Sequence, residues 1–137
     1  MEFVGLAASG DVPPGLSDWP APPQTLLNAV SALVVLYPYC GVLNGADRVP
    51  WSRAGKPVKM LMILAEDDSI VSTGTCLAMA EALREGGAEI ETLVLPDADH
   101  GFDQSERSSI SPLHFDAGLR AEAQARIEAF LERIATP

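Results

Sequence analysis

A histidine and a group of carboxylates are the residues of this sequence best suited to chemistry. His100 follows the apolar segment 90–95, so it lies in a loop just past the carboxyl end of a predicted strand. A second predicted strand, 58–64, leads into the acidic segment 66–68 (Glu-Asp-Asp). If the two strands are parallel neighbours, a carboxylate and an imidazole converge at the sheet edge where ligands bind in open parallel sheets. A carboxylate bonded to one ring nitrogen orients the imidazole for general base catalysis.

Apolar runs predict the strands that would position these residues. Runs without alternation are typical of strands buried on both faces, and the strand–helix–strand order favours parallel strands joined by crossovers. The predicted strands are Phe3–Ala8, Ala32–Tyr37, Val58–Leu64 and Ile90–Leu95. Apolar stripes at helical spacing predict helices over Thr75–Glu85, ended by Gly86 and Gly87, and over Gly118–Ile134. The sequence therefore predicts an α/β fold with a small, mostly parallel sheet of about four strands flanked by helices.

Length and composition predict one folded domain. The chain has 137 residues, of which 47% are hydrophobic and 20% charged, as in globular proteins. We expect a single domain over 1–137, with an irregular, proline-rich part over 1–31 and the α/β part over 32–137. The net charge of −10 arises entirely from residues 61–137, which argues against nucleic acid or an anionic membrane surface as a partner.

Cysteine content and the lack of targeting patterns bear on the compartment. Cys40 and Cys76 are too few for a disulfide framework, and no cysteine–histidine cluster suggests a metal site. Cys76 falls on the apolar stripe of a predicted helix, so we expect it in the core. The sequence shows neither a signal-peptide pattern nor an apolar run long enough to span a membrane. We therefore expect a reduced, cytoplasmic protein without metal or cofactor.

The segments and their order resemble the carboxyl-terminal half of an α/β-hydrolase of the dienelactone hydrolase family, over about residues 32–134. The matching segments are Leu36-Tyr-Pro-Tyr-Cys-Gly41, Ala65-Glu-Asp-Asp-Ser-Ile-Val-Ser72, Cys76, Leu95-Pro-Asp-Ala-Asp-His-Gly-Phe-Asp103 and the final helix. The resemblance implies an ester or lactone hydrolase that needs no cofactor. It also implies that His100 is the catalytic base and Asp68 the acid, with Asp67 as the alternative acid.

The nucleophile is the part of such a hydrolase that the sequence does not supply in the family's form. The Gly-x-Ser/Cys-x-Gly turn of these enzymes occurs nowhere in the chain. The candidates are Ser9, in the segment Gly5-Leu-Ala-Ala-Ser-Gly10, and Cys40, which follows a strand end, because an adjacent imidazole activates a hydroxyl or a thiol. The alternatives are a nucleophile from a partner chain, a non-catalytic remnant that serves as an oligomerisation or binding module, and a small-molecule binder.

The absence of the first half of the hydrolase sheet predicts a partner chain. A sheet cut through its middle exposes a strand edge and apolar faces, and both favour association. We therefore expect a homodimer, or docking to a separate chain that carries the other half. The expected ligand of an active site is a small ester or lactone.

Overall fold

A parallel three-stranded sheet lies between two helices in the described part of the chain. The computed structural model describes Val30 and residues 32–40, 52–53 and 56–136. The elements in chain order are β1 (Ala32–Leu36), β2 (Ser52–Arg53), β3 (Lys56–Pro57), β4 (Lys59–Ala65), α1 (Thr73–Glu85), β5 (Glu89–Leu95) and α2 (Ala117–Ala135). The spatial order β1–β4–β5, with parallel pairing throughout, confirms the predicted α/β class.

Strand β4 is the middle of the sheet and the most deeply buried element. It is apolar from Met60 to Ala65, and each of those residues is at most 2% exposed. Successive side chains of a strand point to opposite faces, so β4 contributes to two cores. Met60, Met62 and Leu64 pack with the α1 face, and Leu61, Ile63 and Ala65 pack with the α2 face. An uninterrupted apolar run thus matches a strand covered on both sides.

Helix α1 begins two residues before its predicted start. Ser72 caps it, since its hydroxyl accepts a hydrogen bond from the backbone N–H of Thr75 at 3.3 Å. The helix ends at Gly86 and Gly87, the second of which has φ 98°, a conformation that glycine adopts without a steric penalty. This end agrees with the one predicted from sequence. The buried residues of α1 are Cys76, Met79, Ala80 and Leu83.

Helix α2 covers the other face of the sheet. The carboxylate of Asp116 caps it by accepting the backbone N–H groups of Gly118 (2.7 Å) and Leu119 (2.9 Å). Ala123 and Phe130 are its buried residues. Among the described residues, no helix combines the length and apolarity needed to cross a bilayer.

Two details differ from the sequence prediction. The segment between β1 and β4 was expected to be a loop, yet β2 and β3 form a short antiparallel pair in which Ser52 faces Pro57. The main sheet has three strands in the described ranges, one fewer than expected. The predicted strand Phe3–Ala8 and the proline-rich segment lie outside those ranges.

Candidate active site

Asp68 is held by the backbone of its own loop. It lies just past β4, and its side chain is 3% exposed. Its Oδ1 accepts hydrogen bonds from the backbone N–H groups of Ile70 (2.9 Å) and Val71 (2.7 Å). Charge-assisted bonds of this kind stabilise a carboxylate, so the loop is built to hold an acid at the carboxyl edge of the sheet. Asp67, the alternative acid, is exposed.

His100 faces Asp68 from the loop that follows β5. Its Nδ1 lies 2.9 Å from Oδ2 and 3.1 Å from Oδ1 of Asp68. A carboxylate only accepts, so Nδ1 carries a proton and the neutral ring keeps its lone pair on Nε2. Across the described residues no side chain bonds to Nε2, and 21% of the side chain is exposed. The pair can therefore accept a proton at Nε2 while Asp68 stabilises the imidazolium.

The pairing of β4 with β5 brings the acid loop and the histidine loop together. Ala65 and Leu95 are register partners at the carboxyl ends of the two strands. Beyond them, the N–H of Glu66 donates to the carbonyl of Leu95 (3.0 Å), and the N–H of Asp67 donates to the carbonyl of Ala98 (2.9 Å). The sheet ladder thus continues into the loops that carry the acid and the base.

Asp99 bonds to both of these loops. Its Oδ1 accepts the backbone N–H of Ser69 at 2.9 Å and that of His100 at 2.7 Å. Partial burial acts to raise the pKa of Asp99, but the hydrogen bonds from Ser69 and His100 outweigh it, so the pKa lies below its ordinary value of 3.8. The carboxylate is therefore ionised, and fully able to accept, at neutral pH.

Tyr37, at the end of β1, flanks the imidazole. Its ring centroid lies 4.5 Å from that of His100. Its hydroxyl donates to Asp103 Oδ1 (2.8 Å) and accepts from Gln104 Nε2 (3.0 Å). Burial raises the pKa of Tyr37 above its usual 10.0, and the bond to Asp103 raises it further. The phenol is thus a neutral donor that holds the Tyr37 ring beside the base.

The chain turns sharply after His100 and is then anchored in the core. Gly101 has φ 66°, and a Cβ there would lie 3.1 Å from Nη2 of Arg107, so glycine suits this turn. Phe102 follows with 1% exposure and packs edge-on against Tyr37, with centroids 5.8 Å apart. Phe102 therefore belongs to the core, whereas Tyr37 contacts His100.

The two nucleophile candidates have different outcomes. Ser9 lies outside the described residues. Cys40 forms a disulfide with Cys76, with a Cα–Cα distance of 5.0 Å. Cys40 as nucleophile is therefore wrong for this form of the protein, because a disulfide sulfur carries no thiolate. The expectation of two reduced cysteines is corrected as well, although Cys76 is in the core as predicted, at 2% exposure.

Sequence reasoning missed Asp99 and the way Tyr37 is held. Nothing in a single sequence tells which backbone N–H groups a loop carboxylate reaches. The position of Asp99 directly before His100 was the signal in the sequence that could have indicated its role. Tyr37 adopts φ 36°, an uncommon conformation for a residue with a side chain. No pattern of residues predicts this conformation.

Comparison with known proteins identifies the fold. The sequence matches no protein-family model and no curated protein. A candidate dienelactone hydrolase from Klebsiella pneumoniae subsp. pneumoniae has a TM-score of 0.58 and 22% identity, covering 78% of this chain and 42% of that one. Esterase 2 of Thermogutta terrifontis, phosphonylated by cyclosarin, has a TM-score of 0.58 and 16% identity, covering 86% and 47%. An α/β hydrolase enzyme from a Medee basin deep-sea metagenome library has a TM-score of 0.55 and 14% identity, covering 96% and 49%.

This chain thus spans less than half the length of these solved structures. At such identities the similarity concerns the fold, and function must be argued from the site. The parallel sheet and its two helices belong to an α/β-hydrolase fold of the kind found in dienelactone hydrolase-like proteins.

Proposed function

We propose that this protein supplies the acid and the base of a carboxylic ester or lactone hydrolase. The observation that carries the proposal is the bond between Asp68 and His100, with 2.9 Å between Oδ2 and Nδ1. The pair lies at the sheet edge where α/β folds carry their chemistry. The occurrence of this fold in an esterase and in a candidate dienelactone hydrolase supports the reaction class.

In the proposed reaction, His100 acts through Nε2. A hydroxyl transfers its proton to Nε2 as its oxygen attacks the ester carbonyl carbon, and the imidazolium then donates that proton to the departing alkoxide. Water hydrolyses the acyl intermediate in the same way: it gives a proton to Nε2 and adds to the carbonyl, and the nucleophile leaves with that proton. Asp68 orients the ring and stabilises the imidazolium in both halves.

The proposal assigns the nucleophile to Ser9 or to a residue of a partner chain. Cys40 is set aside because it is bonded to Cys76. Ser9 precedes β1 in the chain, and a serine hydroxyl becomes a nucleophile when an imidazole within hydrogen-bond reach takes its proton.

Covalent labelling with a fluorophosphonate tests this proposal. Esterase 2 of T. terrifontis carries a phosphonyl group from cyclosarin, so a probe of this class suits the fold. We expect the intact mass of the native protein to increase by the phosphonyl group, with peptide mapping to Ser9. The Ser9→Ala and His100→Ala variants should label far more slowly. A native protein that neither takes up the probe nor hydrolyses a simple aryl ester would contradict the hydrolase proposal for the isolated chain.

A non-catalytic oligomerisation or binding module is the second candidate function. Two observations favour it: Cys40 is consumed in a disulfide, and β1 is paired only with β4 within the described ranges. A strand edge of this kind adds further strands readily. We propose that a second copy of the chain pairs here.

Light scattering after size exclusion tests this association. We expect twice the mass of one chain at micromolar concentration, and a dissociation that follows dilution. A monomer across the concentration range would contradict the pairing, whatever the outcome of the labelling experiment.

The compartment remains part of the proposal. A cytoplasmic location was expected from the sequence and stays a prediction. The Cys40–Cys76 disulfide is an argument against it, because disulfides persist mainly in oxidising compartments.

A further inference from the structure

We propose that Asp99 is a positioning residue whose carboxylate joins the acid loop to the histidine loop and thereby holds Asp68 and His100 at bonding distance. The proposal deepens the proposed function and rests on it for its kinetic consequence. Its structural consequence, the geometry of the acid–base pair, can be measured without substrate.

The hydrogen-bond partners of Asp99 lie in both loops. Its Oδ1 accepts from Ser69, the residue directly after the acid, and from His100, the base itself. On the other side of the acid, the N–H of Asp67 donates to the carbonyl of Ala98. Both neighbours of Asp68 are therefore bonded to the histidine loop. Oδ1 of Asp99 accepts the bond from Ser69, which joins the two loops, and it also accepts the backbone N–H of His100.

The carboxylates of Asp68 and Asp99 differ in the loops that they bind. Oδ1 of Asp68 accepts from Ile70 and Val71, which belong to its own loop, so these bonds shape that loop but do not set its distance to the base. The carboxylate of Asp99, by contrast, accepts a bond that crosses between the loops, from Ser69. Without it, the links that remain beside the pair are the Glu66–Leu95 and Asp67–Ala98 backbone bonds and the bond between Asp68 and His100.

The ionised state of Asp99 suits it to hold two backbone N–H groups. The bonds from Ser69 and His100 lower the pKa of Asp99 despite the opposing effect of partial burial, with a smaller electrostatic contribution from His114. An ionised carboxylate accepts stronger hydrogen bonds than a neutral group. The distances of 2.9 and 2.7 Å are those of well-formed bonds.

The experiment uses variants that separate position from charge. Asp99→Asn keeps an acceptor oxygen in place and removes the charge, whereas Asp99→Glu keeps the charge and displaces the carboxylate by one methylene. Asp99→Ala removes both. Glu106→Ala is the matched control, because Glu106 is exposed and its loss removes the same charge from the segment after the base.

The primary readout is the protonation pattern of the His100 ring in long-range proton–nitrogen NMR spectra, recorded at a pH where free histidine is neutral. We expect His100 of the native protein to carry its proton on Nδ1. Asp99→Asn and Glu106→Ala should keep this tautomer, while Asp99→Ala and Asp99→Glu should shift it towards the mixture shown by exposed His114. The dispersion of the backbone amide signals reports whether each variant is folded.

The kinetic readout is kcat for an aryl ester, at unchanged KM. A displacement of catalytic groups by about 1 Å can lower the rate about 10²-fold, and we expect a loss of this order for the alanine and glutamate variants but not for asparagine. An unchanged His100 tautomer in Asp99→Ala, or equal losses in Asp99→Asn and Asp99→Ala, would overturn the positioning role. A native protein with the Nδ1–H tautomer but no turnover would refute the hydrolase proposal alone.

Discussion

Replacing His100 by alanine is expected to lower kcat for ester hydrolysis about 10⁶-fold, whereas replacing Asp68 by asparagine should lower it about 10⁴-fold. The difference follows from the geometry. In the proposed reaction, His100 transfers the proton in both halves, and within the described ranges its ring is the one imidazole bonded to Asp68. The proposed role of Asp68 is indirect, because it acts through the tautomer and the imidazolium. An asparagine amide at position 68 can donate to Nδ1 and so place the proton on the wrong nitrogen.

The measurement is single-turnover and steady-state hydrolysis of an aryl ester by the folded variants. His114→Ala is the matched control, because His114 is the other histidine of the chain and is exposed. It should keep the native rate. If the His100 variant retained more than about a hundredth of the native kcat, a proton-transfer role of the usual size would be untenable. Equal rates for the His100 and His114 variants would place the chemistry elsewhere.

Much of the fold could be predicted because the sheet buries both faces. Residues 60–65 are apolar without a break, and the structure places them in two cores on opposite faces. A strand with one face in water would instead alternate apolar and polar side chains. The carboxyl end of α1 was predictable from a local signal, since Gly86 and Gly87 favour a stop. The start of α1 at Thr73 depends on the Ser72 cap, a finer signal than the apolar stripe.

The meeting of Asp68 and His100 was predictable from topology, and their catalytic roles remain a prediction. Two loops at the carboxyl ends of adjacent parallel strands must lie side by side. Of the two candidate acids, Asp68 is the one that contacts the imidazole: its side chain is 3% exposed and faces His100, whereas Asp67 is exposed. Loop direction depends on individual φ and ψ values, which a single sequence does not encode in a readable pattern.

The disulfide could not be predicted because it depends on tertiary proximity. Cys40 and Cys76 are 36 residues apart, and sequence patterns recognise disulfides mainly in cysteine-rich frameworks. The pairing becomes possible only once β1 lies beside β4, so that the segment after β1 approaches the first turn of α1. Because Cys40 is bonded to Cys76, it is no longer a candidate nucleophile.

Breaking this disulfide is expected to lower the free energy of unfolding by about 3–4 kcal/mol. The reason is the entropy of the unfolded chain, since the bond closes a loop with a sequence separation of 36 and restricts the denatured ensemble. Both cysteines are buried, at 6% and 2% exposure, so the bond also lies in the core on the α1 face. For a chain of this size the loss corresponds to roughly 10 °C in Tm.

Urea unfolding of the native protein with and without a dithiol reductant measures the effect, and the Cys40→Ala/Cys76→Ala double variant is the matched comparison. The reduced native protein and the double variant should have similar midpoints, both below the oxidised protein, and the reductant should not change the double variant. Before reduction, a thiol reagent should find no free cysteine even in the unfolded chain. Two free thiols in the purified native protein, or equal midpoints for the oxidised and reduced forms, would contradict this account. The second outcome would show that the cross-link removes no measurable entropy from the unfolded chain.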